Sequence, residues 1–312
     1  MTRGAVPTVL LMGPTASGKT GLSLALAERL PVEIVSVDSA QVYRGMDIGT
    51  AKPDRATLAR VPHHLVDILD PLEPYSAARF VRDALQAIEA IKARGRIPLL
   101  VGGTMLYFRA LRYGLSDLPS ADAGLRAQIE ADAEREGWPA LHARLAVRDP
   151  ETAVRLHPND QQRIQRALEI IELTGTTPSE LFRRERPPPL GGDALALALN
   201  PPERSELHRR IRVRLEAMMA DGFVEEVEHL YRRGDLNPEL PSIRAVGYRQ
   251  LWEYVAGRWK RDEAVERAVA ATRQFAKRQL TWLRSEQAVE VFDPDRPDLV
   301  GEVFRRIDSR LA

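Results

Sequence analysis

Residues 13–20, Gly13-Pro14-Thr15-Ala16-Ser17-Gly18-Lys19-Thr20, set two glycines, a lysine and a threonine at the spacing of a phosphate-cradling loop. In such a loop the glycines let the backbone fold back so that N–H groups converge on phosphate oxygens. The lysine adds a point charge, and the last hydroxyl meets a Mg²⁺ carried by the phosphates. The apolar run Val9-Leu10-Leu11-Met12 precedes the octet and the helix-like Gly21-Leu22-Ser23-Leu24-Ala25-Leu26-Ala27 follows it, which is the strand and helix such a loop joins. The chain therefore handles a di- or triphosphate. Thr20 is the metal-side residue and Mg²⁺ the expected cofactor, and the loop type is that of ATP- and other nucleotide-binding proteins.

Most nucleotide hydrolases that hold Mg²⁺ add a second acid at the end of a buried apolar strand. The strand that would carry it, Pro98-Leu99-Leu100-Val101, ends in Gly102-Gly103-Thr104, with small residues and a hydroxyl instead of a carboxylate. The nearest acid of that kind is Asp38, which closes Ile34-Val35-Ser36-Val37. A strand end beside the phosphate loop is where open α/β sheets bind ligands, so Asp38 can touch either the metal or an incoming acceptor. Residues 38–53, led by Asp38, Ser39, Ala40 and Gln41, are rich in hydrogen-bonding side chains without strand alternation and read as a functional loop.

These residues need a sheet to hold them. Strand-like runs at Thr8–Leu11, Glu33–Val37, Leu65–Ile68 and Ile97–Val101 alternate with helical stretches such as Ala77–Ala93, which predicts an α/β fold with a parallel sheet flanked by helices. From about Ala121 to Phe182 the apolar positions follow a helical period, and the breaker cluster Arg186-Pro187-Pro188-Pro189-Leu190-Gly191-Gly192 closes the stretch. This predicts a phosphate-loop core over residues 1–117 and 194–312, with an inserted all-helical domain over 118–193. Ala194–Leu199 then returns to the sheet, helices run to about Arg284, and Val289–Phe292 forms a late strand.

With 312 residues, 44% hydrophobic and 29% charged, the chain can bury a large core. No apolar run is long enough for a membrane span, and the expected location is cytoplasmic. The absence of cysteine excludes disulfides, thiolate catalysis and cysteine-ligated zinc. A net charge of +1 hides arginine clusters at 163–166, 204–214 and 273–284, and local clusters of this kind bind nucleic acid whatever the total charge.

Several blocks together resemble the tRNA dimethylallyltransferases, also called isopentenyl-tRNA transferases. They are GPTASGKT at Gly13, VDSAQVYRGMDIGTAKP from Val37, PHHLVDI from Pro62, VGGTMLYFRAL from Val101, NDQQRIQRALE from Asn159, PSIRAVGYRQ from Pro241 and ATRQFAKRQLTWLR from Ala271, in order along nearly the whole chain. The phosphate loop alone is generic; the run after Asp38, the GGT strand end and the IRAVGY and KRQLTWLR blocks look specific.

The resemblance implies transfer of a dimethylallyl group from dimethylallyl diphosphate to the N6 amine of the adenosine immediately 3′ of the anticodon. It implies a loop that holds a leaving group, with charge on that group met by the backbone amides of Thr15 through Lys19, the Lys19 ammonium, Mg²⁺ at Thr20, the Thr104 hydroxyl and an arginine. It favours Arg214 for the arginine; Arg210, four residues away on the same helix face, is the alternative. The adenine amine needs a base, for which Asp38 is the candidate, with a metal-shell role as the competing reading. The pair His63-His64 reads as structural. The expected partner is a tRNA anticodon stem-loop, bound by a monomer with its target base flipped from the stack. Implied RNA contacts are Asp38 to Gln41, Thr104, Arg126, Gln162, Arg163, Ile164, Gln165 and Arg166. A second set is Ile243, Arg244, Ala245, Val246, Gly247 and Tyr248, and a third Lys277, Arg278, Gln279, Leu280, Thr281, Trp282, Leu283 and Arg284. On the last helix, Val265, Val269, Thr272, Ala276 and Leu283 form the apolar side; Arg273, Lys277 and Arg278 face outward. Trp252, Tyr254, Trp259 and Trp282 are spaced as packing residues. The rival readings are a kinase, which requires an ATP site, and a noncatalytic RNA-binding protein. Both leave the 38–53 run and the GGT end unexplained.

Overall fold

Six parallel strands form one sheet in the order β3-β2-β4-β1-β5-β6. The computed structural model describes residues 6–116, 118–184, 187–191 and 194–311. Outside the described residues lie Arg186 and Gly192 of the breaker cluster, and residues 117 and 193 at the expected domain borders. The elements run β1 (Thr8–Met12), α1 (Lys19–Ala27), β2 (Val32–Val37), α2 (Arg55–Arg60), β3 (His63–His64), α3 (Ala77–Ala93), β4 (Ile97–Gly102) and α4 (Met105–Tyr113). Five helices follow: α5 (Ala123–Glu136), α6 (Trp138–Arg148), α7 (Pro150–Val154), α8 (Gln161–Thr174) and α9 (Pro178–Arg183). The chain continues with β5 (Ala194–Leu199), α10 (Arg204–Ala220), α11 (Phe223–Arg232), α12 (Tyr248–Val255), α13 (Arg261–Arg284), β6 (Glu290–Phe292) and α14 (Leu299–Asp308).

Strands covered on both faces read as continuous apolar runs. β1 and β2 are buried at every position, and alternate residues feed two cores. Leu10, Met12, Val35, Val37 and Leu100 pack with α3, α4 and the helices after β5; Val9, Leu11, Ile34, Leu99 and Leu197 pack with α1 and α14. Among the described residues no helix is long and apolar enough to cross a membrane.

The strand expected at Leu65–Ile68 is corrected: β3 is His63–His64, pairing with Ile34 and Val35. Leu65 and Asp67 adopt left-handed backbone (φ 63° and 56°), which ends a strand, and Ile68 and Leu69 donate instead to the carbonyl of Val42 in the loop after β2.

The chain divides into two compact units, one formed by residues up to Arg112 and from Pro188 onward, the other by Tyr113–Pro187. The second unit is all helical among its described residues and has its own core of Ile129, Leu141, Leu145, Ile164, Leu168 and Ile171. Three of its helices, α5, α8 and α9, start at side-chain caps: Asp122 accepts from Leu125 N–H, Asp160 from Arg163 N–H, and Thr177 with Glu180 forms a capping box.

Candidate active site

Three strands end level with one another. In the register, Met12 of β1 and Val37 of β2 both stand opposite Gly102 of β4. The residues that follow are therefore launched from one row at the C-terminal edge of the sheet: the phosphate loop at Gly13, the carboxylate at Asp38, and Gly103-Thr104. Thr104 N–H donates to Val37 O at 3.2 Å, tying the second and third together. Only glycine fits at 102, because a Cβ there would lie 2.0 Å from Val37 O.

The phosphate loop is tight. Ala16 has φ 61° and Gly18 φ 88°, and Gly18 caps α1 without a side-chain bond, leaving the first-turn N–H groups of Lys19 and Thr20 without an intrahelical acceptor. Lys19 Nζ donates to Gly13 O (2.9 Å) and Pro14 O (2.6 Å), which holds the ammonium inside the curl of the loop. Burial, then the Arg214 charge, lower the Lys19 pKa to about 7, against a smaller raising effect of Asp38. Not every loop amide faces a ligand. Thr15 N–H donates to Gln279 Oε1 at 2.9 Å and Ser17 N–H to Pro14 O at 3.3 Å, so the expected row of amides from Thr15 to Lys19 is reduced to those without an internal acceptor.

Asp38 Oδ1 accepts from Ala40 N–H (2.8 Å) and Gln41 N–H (3.3 Å), an Asx-type turn that orients the carboxylate. Arg214 from α10 donates to Thr15 Oγ1 at 3.3 Å. Burial lowers its pKa, with Asp38 opposing. Arg210 is committed elsewhere, to Glu206 at 2.8 Å and to Asp295, and does not line the cleft. Of the two candidate arginines, Arg214 is thus the one at the phosphate loop.

Two connected cavities result. One of about 100 Å³ is walled by Thr15, Lys19, Thr20, Asp38, Gly103 and Arg214. A larger one of about 350 Å³ shares Thr15, Asp38, Arg214 and Phe275, includes Thr104, and adds an apolar wall of Ile211, Leu215, Met218, Phe223 and Val246. Arg244, Ala245, Gly247 and Arg278 also reach it, so parts of two sequence-distant basic blocks converge on the site. His63 lines the smaller cavity, its pKa lowered by burial, and His64 pairs with Glu33 at 2.7 Å, in keeping with structural roles.

Several expected RNA contacts are corrected. Ile164 and Ile243 are fully buried (0% exposed) and Leu280 and Leu283 nearly so; apolar side chains inside a core cannot face RNA. Tyr248, 1% exposed, spends its hydroxyl on Glu226 Oε1. Gln279, also buried, bridges Thr15 N–H and Gly103 O. Gln41 is tied to Ser36 Oγ (2.8 Å) and to the carbonyls of Thr50 and Ala51. Arg273 is only half-buried rather than turned outward, and its Nε is enclosed. Trp282 is half-buried beneath the Arg109 guanidinium. In the helical unit, Arg126 makes a two-pronged pair with the buried Glu169 (2.9 and 3.1 Å), Arg166 joins it at 2.5 Å, and Gln165 bonds Arg126 O and Glu130. Arg126 and Gln165 thereby tie α5 to α8, and Arg166 also donates to Pro119 O ahead of α5. Gln162, Arg163, Arg244, Lys277, Arg278, Thr281 and Arg284 are exposed, as is Ser39.

Sequence reasoning missed Glu226. From the first turn of α11 its carboxylate accepts Asp47 and Ile48 N–H (both 2.8 Å) at one oxygen, and Gly49 N–H (3.1 Å) and Tyr248 O–H (2.5 Å) at the other. The loop wall beside Asp38 is hung on this side chain. An acid near a helix start is commonplace, so no local pattern marks it.

A family model described as IPP transferase matches residues 41–286, and one described as isopentenyl transferase matches residues 7–67. A tRNA dimethylallyltransferase from Ralstonia nicotianae is 58% identical over 97% of this chain and 96% of its own length. One from Thiobacillus denitrificans is 59% identical over 100% and 99%. Among solved structures, the full-length tRNA isopentenylpyrophosphate transferase of Bacillus halodurans matches with TM-score 0.71 and 40% identity over 98% of this chain and 97% of its own. A eukaryotic dimethylallyltransferase acting on tRNA matches with TM-score 0.80 and 29% identity over 96% and 77%.

Proposed function

The chain belongs to the IPP transferase family and is an enzyme that transfers a dimethylallyl group to tRNA, and we propose that the acceptor is the exocyclic N6 amine of the adenosine immediately 3′ of the anticodon, with dimethylallyl diphosphate as donor. The observation that carries this reading is the pairing of a phosphate-loop cleft with an apolar cavity at a shared carboxylate, Asp38. A diphosphate with a five-carbon chain needs a charged pocket and an apolar one side by side, and the wall of Ile211, Leu215, Met218 and Phe223 suits the chain.

In the reaction the allylic C–O bond breaks with its electron pair going to the diphosphate. Lys19, Arg214, the free loop amides and the Thr104 hydroxyl stabilise the charge that develops there. The amine's lone pair forms the new N–C bond, and Asp38 takes the amine proton. Mg²⁺ fits the donor set: it usually keeps several waters and binds through substrate phosphates with one or two protein oxygens. Thr20 lines the small cavity and would hold the ion, which leaves Asp38 for the amine proton. Bound there, it neutralises diphosphate charge.

The flipped base is met by Asp38 and the turn that follows it, and RNA phosphates by the exposed Arg244, Lys277, Arg278 and Arg284 of the core and Gln162 and Arg163 of the helical unit. On this reading the enzyme works as a cytoplasmic monomer.

The test is transfer of label from radiolabelled dimethylallyl diphosphate to unmodified tRNA with Mg²⁺, with ATP as a control donor, in wild type and Asp38→Ala. The expected result is label in tRNA only with the prenyl donor, and an Asp38→Ala enzyme that binds diphosphate but does not transfer. Turnover of ATP without labelled tRNA overturns the reading; retained transfer by the variant removes Asp38 as the base.

A further inference from the structure

Gln279 lies on α13 directly after the exposed Lys277 and Arg278, yet is itself 5% exposed. Its side-chain amide spans two of the three strand-end segments: Oε1 accepts from Thr15 N–H at 2.9 Å, and Nε2 donates to Gly103 O at 2.8 Å. The amide is satisfied in this orientation alone, since a flip would set donor against donor and acceptor against acceptor. A Cβ at position 103 would lie 2.2 Å from Nε2, so a side chain there would displace the Gln279 amide from this bridge. Thr15 is gripped from its other side by Arg214 at 3.3 Å.

We propose that Gln279 is a positioning residue for the transfer reaction: it sets the entry of the phosphate loop against the Gly103-Thr104 end of β4, so that the loop donors and the Thr104 hydroxyl address one leaving group. This rests on the reaction proposed above. Gln279 lines the smaller cavity, but both its polar atoms are spent on Thr15 and Gly103, so it acts through them. Its place inside a basic helix block conceals this, because the residues two and one positions before it, Lys277 and Arg278, are exposed.

The test uses the full-length chain with Gln279→Ala and Gln279→Glu. Binding of inorganic diphosphate with Mg²⁺ is measured by calorimetry, binding of a fluorescent anticodon stem-loop by anisotropy, and transfer by steady-state kinetics. Gln279→Ala is expected to weaken diphosphate binding roughly tenfold and to lower kcat, the effect of leaving two buried polar groups unpaired. Stem-loop affinity should stay within about twofold, the additivity expected of distant sites. Gln279→Glu carries the finer signature. Ionised, it keeps an acceptor for Thr15 N–H but sets a charged oxygen against Gly103 O; protonated, it regains a donor. Its deficit relative to wild type at the same pH should therefore close as pH falls.

Loss of stem-loop binding with diphosphate binding intact would make Gln279 an RNA contact and overturn the proposal. So would wild-type behaviour in both variants, a pH-independent deficit in Gln279→Glu, or unfolding of both variants, which would make the residue a packing element. A wild type that binds no diphosphate would overturn the reaction itself, and this role with it.

Discussion

Replacing Glu226 by glutamine tests whether the loop beside Asp38 is built by tertiary contact or by its own sequence. Each carboxylate oxygen accepts two donors, Asp47 and Ile48 N–H at one and Gly49 N–H and Tyr248 O–H at the other. With its NH₂ toward Asp47 and Ile48 the new amide loses two bonds. With its NH₂ toward Gly49 it loses that N–H while the Tyr248 hydroxyl can turn to accept, so at least one bond is lost in either orientation and the rest lose the charge that strengthened them. Hydrogen bonds to charged groups contribute about 1.5–3 kcal/mol each. Because Asp47 is exposed and water can replace part of its bond, a local loss of about 2–4 kcal/mol is the expected size. Phe223 packs so closely under Gly49 that a Cβ there would come within 2.1 Å of its ring, so the loop and the start of α11 are in direct contact at this point. The loss should appear as local opening. Hydrogen exchange of the 47–49 amides should accelerate roughly 30- to 700-fold, the factor equivalent to that free energy, with kcat/KM for transfer reduced because Gly49 and Thr50 wall the cavity shared with Asp38. Exchange at these amides within about threefold of wild type would refute the reasoning.

Three further outcomes concern Lys19 and Gly102. Lys19 has a pKa lowered to about 7 by burial and by Arg214, so at pH 8 the free protein holds it largely neutral, whereas bound diphosphate favours the ammonium. Diphosphate binding at pH 8 should then take up a proton that Lys19→Met does not, and the difference should vanish by pH 5.5; calorimetry in buffers of different ionisation enthalpy reads it, and equal uptake by both proteins would refute the assignment. The same shift bears on stability with a definite sign. Between the folded value near 7 and the ordinary lysine value of 10.5 the unfolded chain binds more protons, so this residue's contribution to stability rises with pH through that window. Gly102→Ala should destabilise by at least about 1–3 kcal/mol, the usual range for overpacking, because the new methyl meets the Val37 carbonyl at 2.0 Å; an unchanged thermal midpoint would show that β2 and β4 can part there at no cost.

The sequence by itself determined the elements whose signals are local. The phosphate loop is a contiguous octet, the strands are apolar runs, and the helices of the insert follow an apolar helical period up to a breaker cluster. Asp38 and Thr104 were legible as a carboxylate and a hydroxyl following apolar strands, and the family resemblance of the blocks around them supplied their chemistry.

Only the tertiary structure decided which residues inside those blocks face the ligand. Within 277–284, exposure separates Lys277 and Arg278 from the buried Gln279, Leu280 and Leu283, because one turn of helix exposes one side and packs the other. The choice of Arg214 over Arg210, one turn apart, came from what each side chain meets: Thr15 in one case, Glu206 and Asp295 in the other. The brief β3, the Gln279 bridge and the Glu226 cradle were not legible in the sequence for a common reason. Each depends on partners tens to hundreds of residues away, and a hydrogen bond between distant segments leaves no periodicity in either.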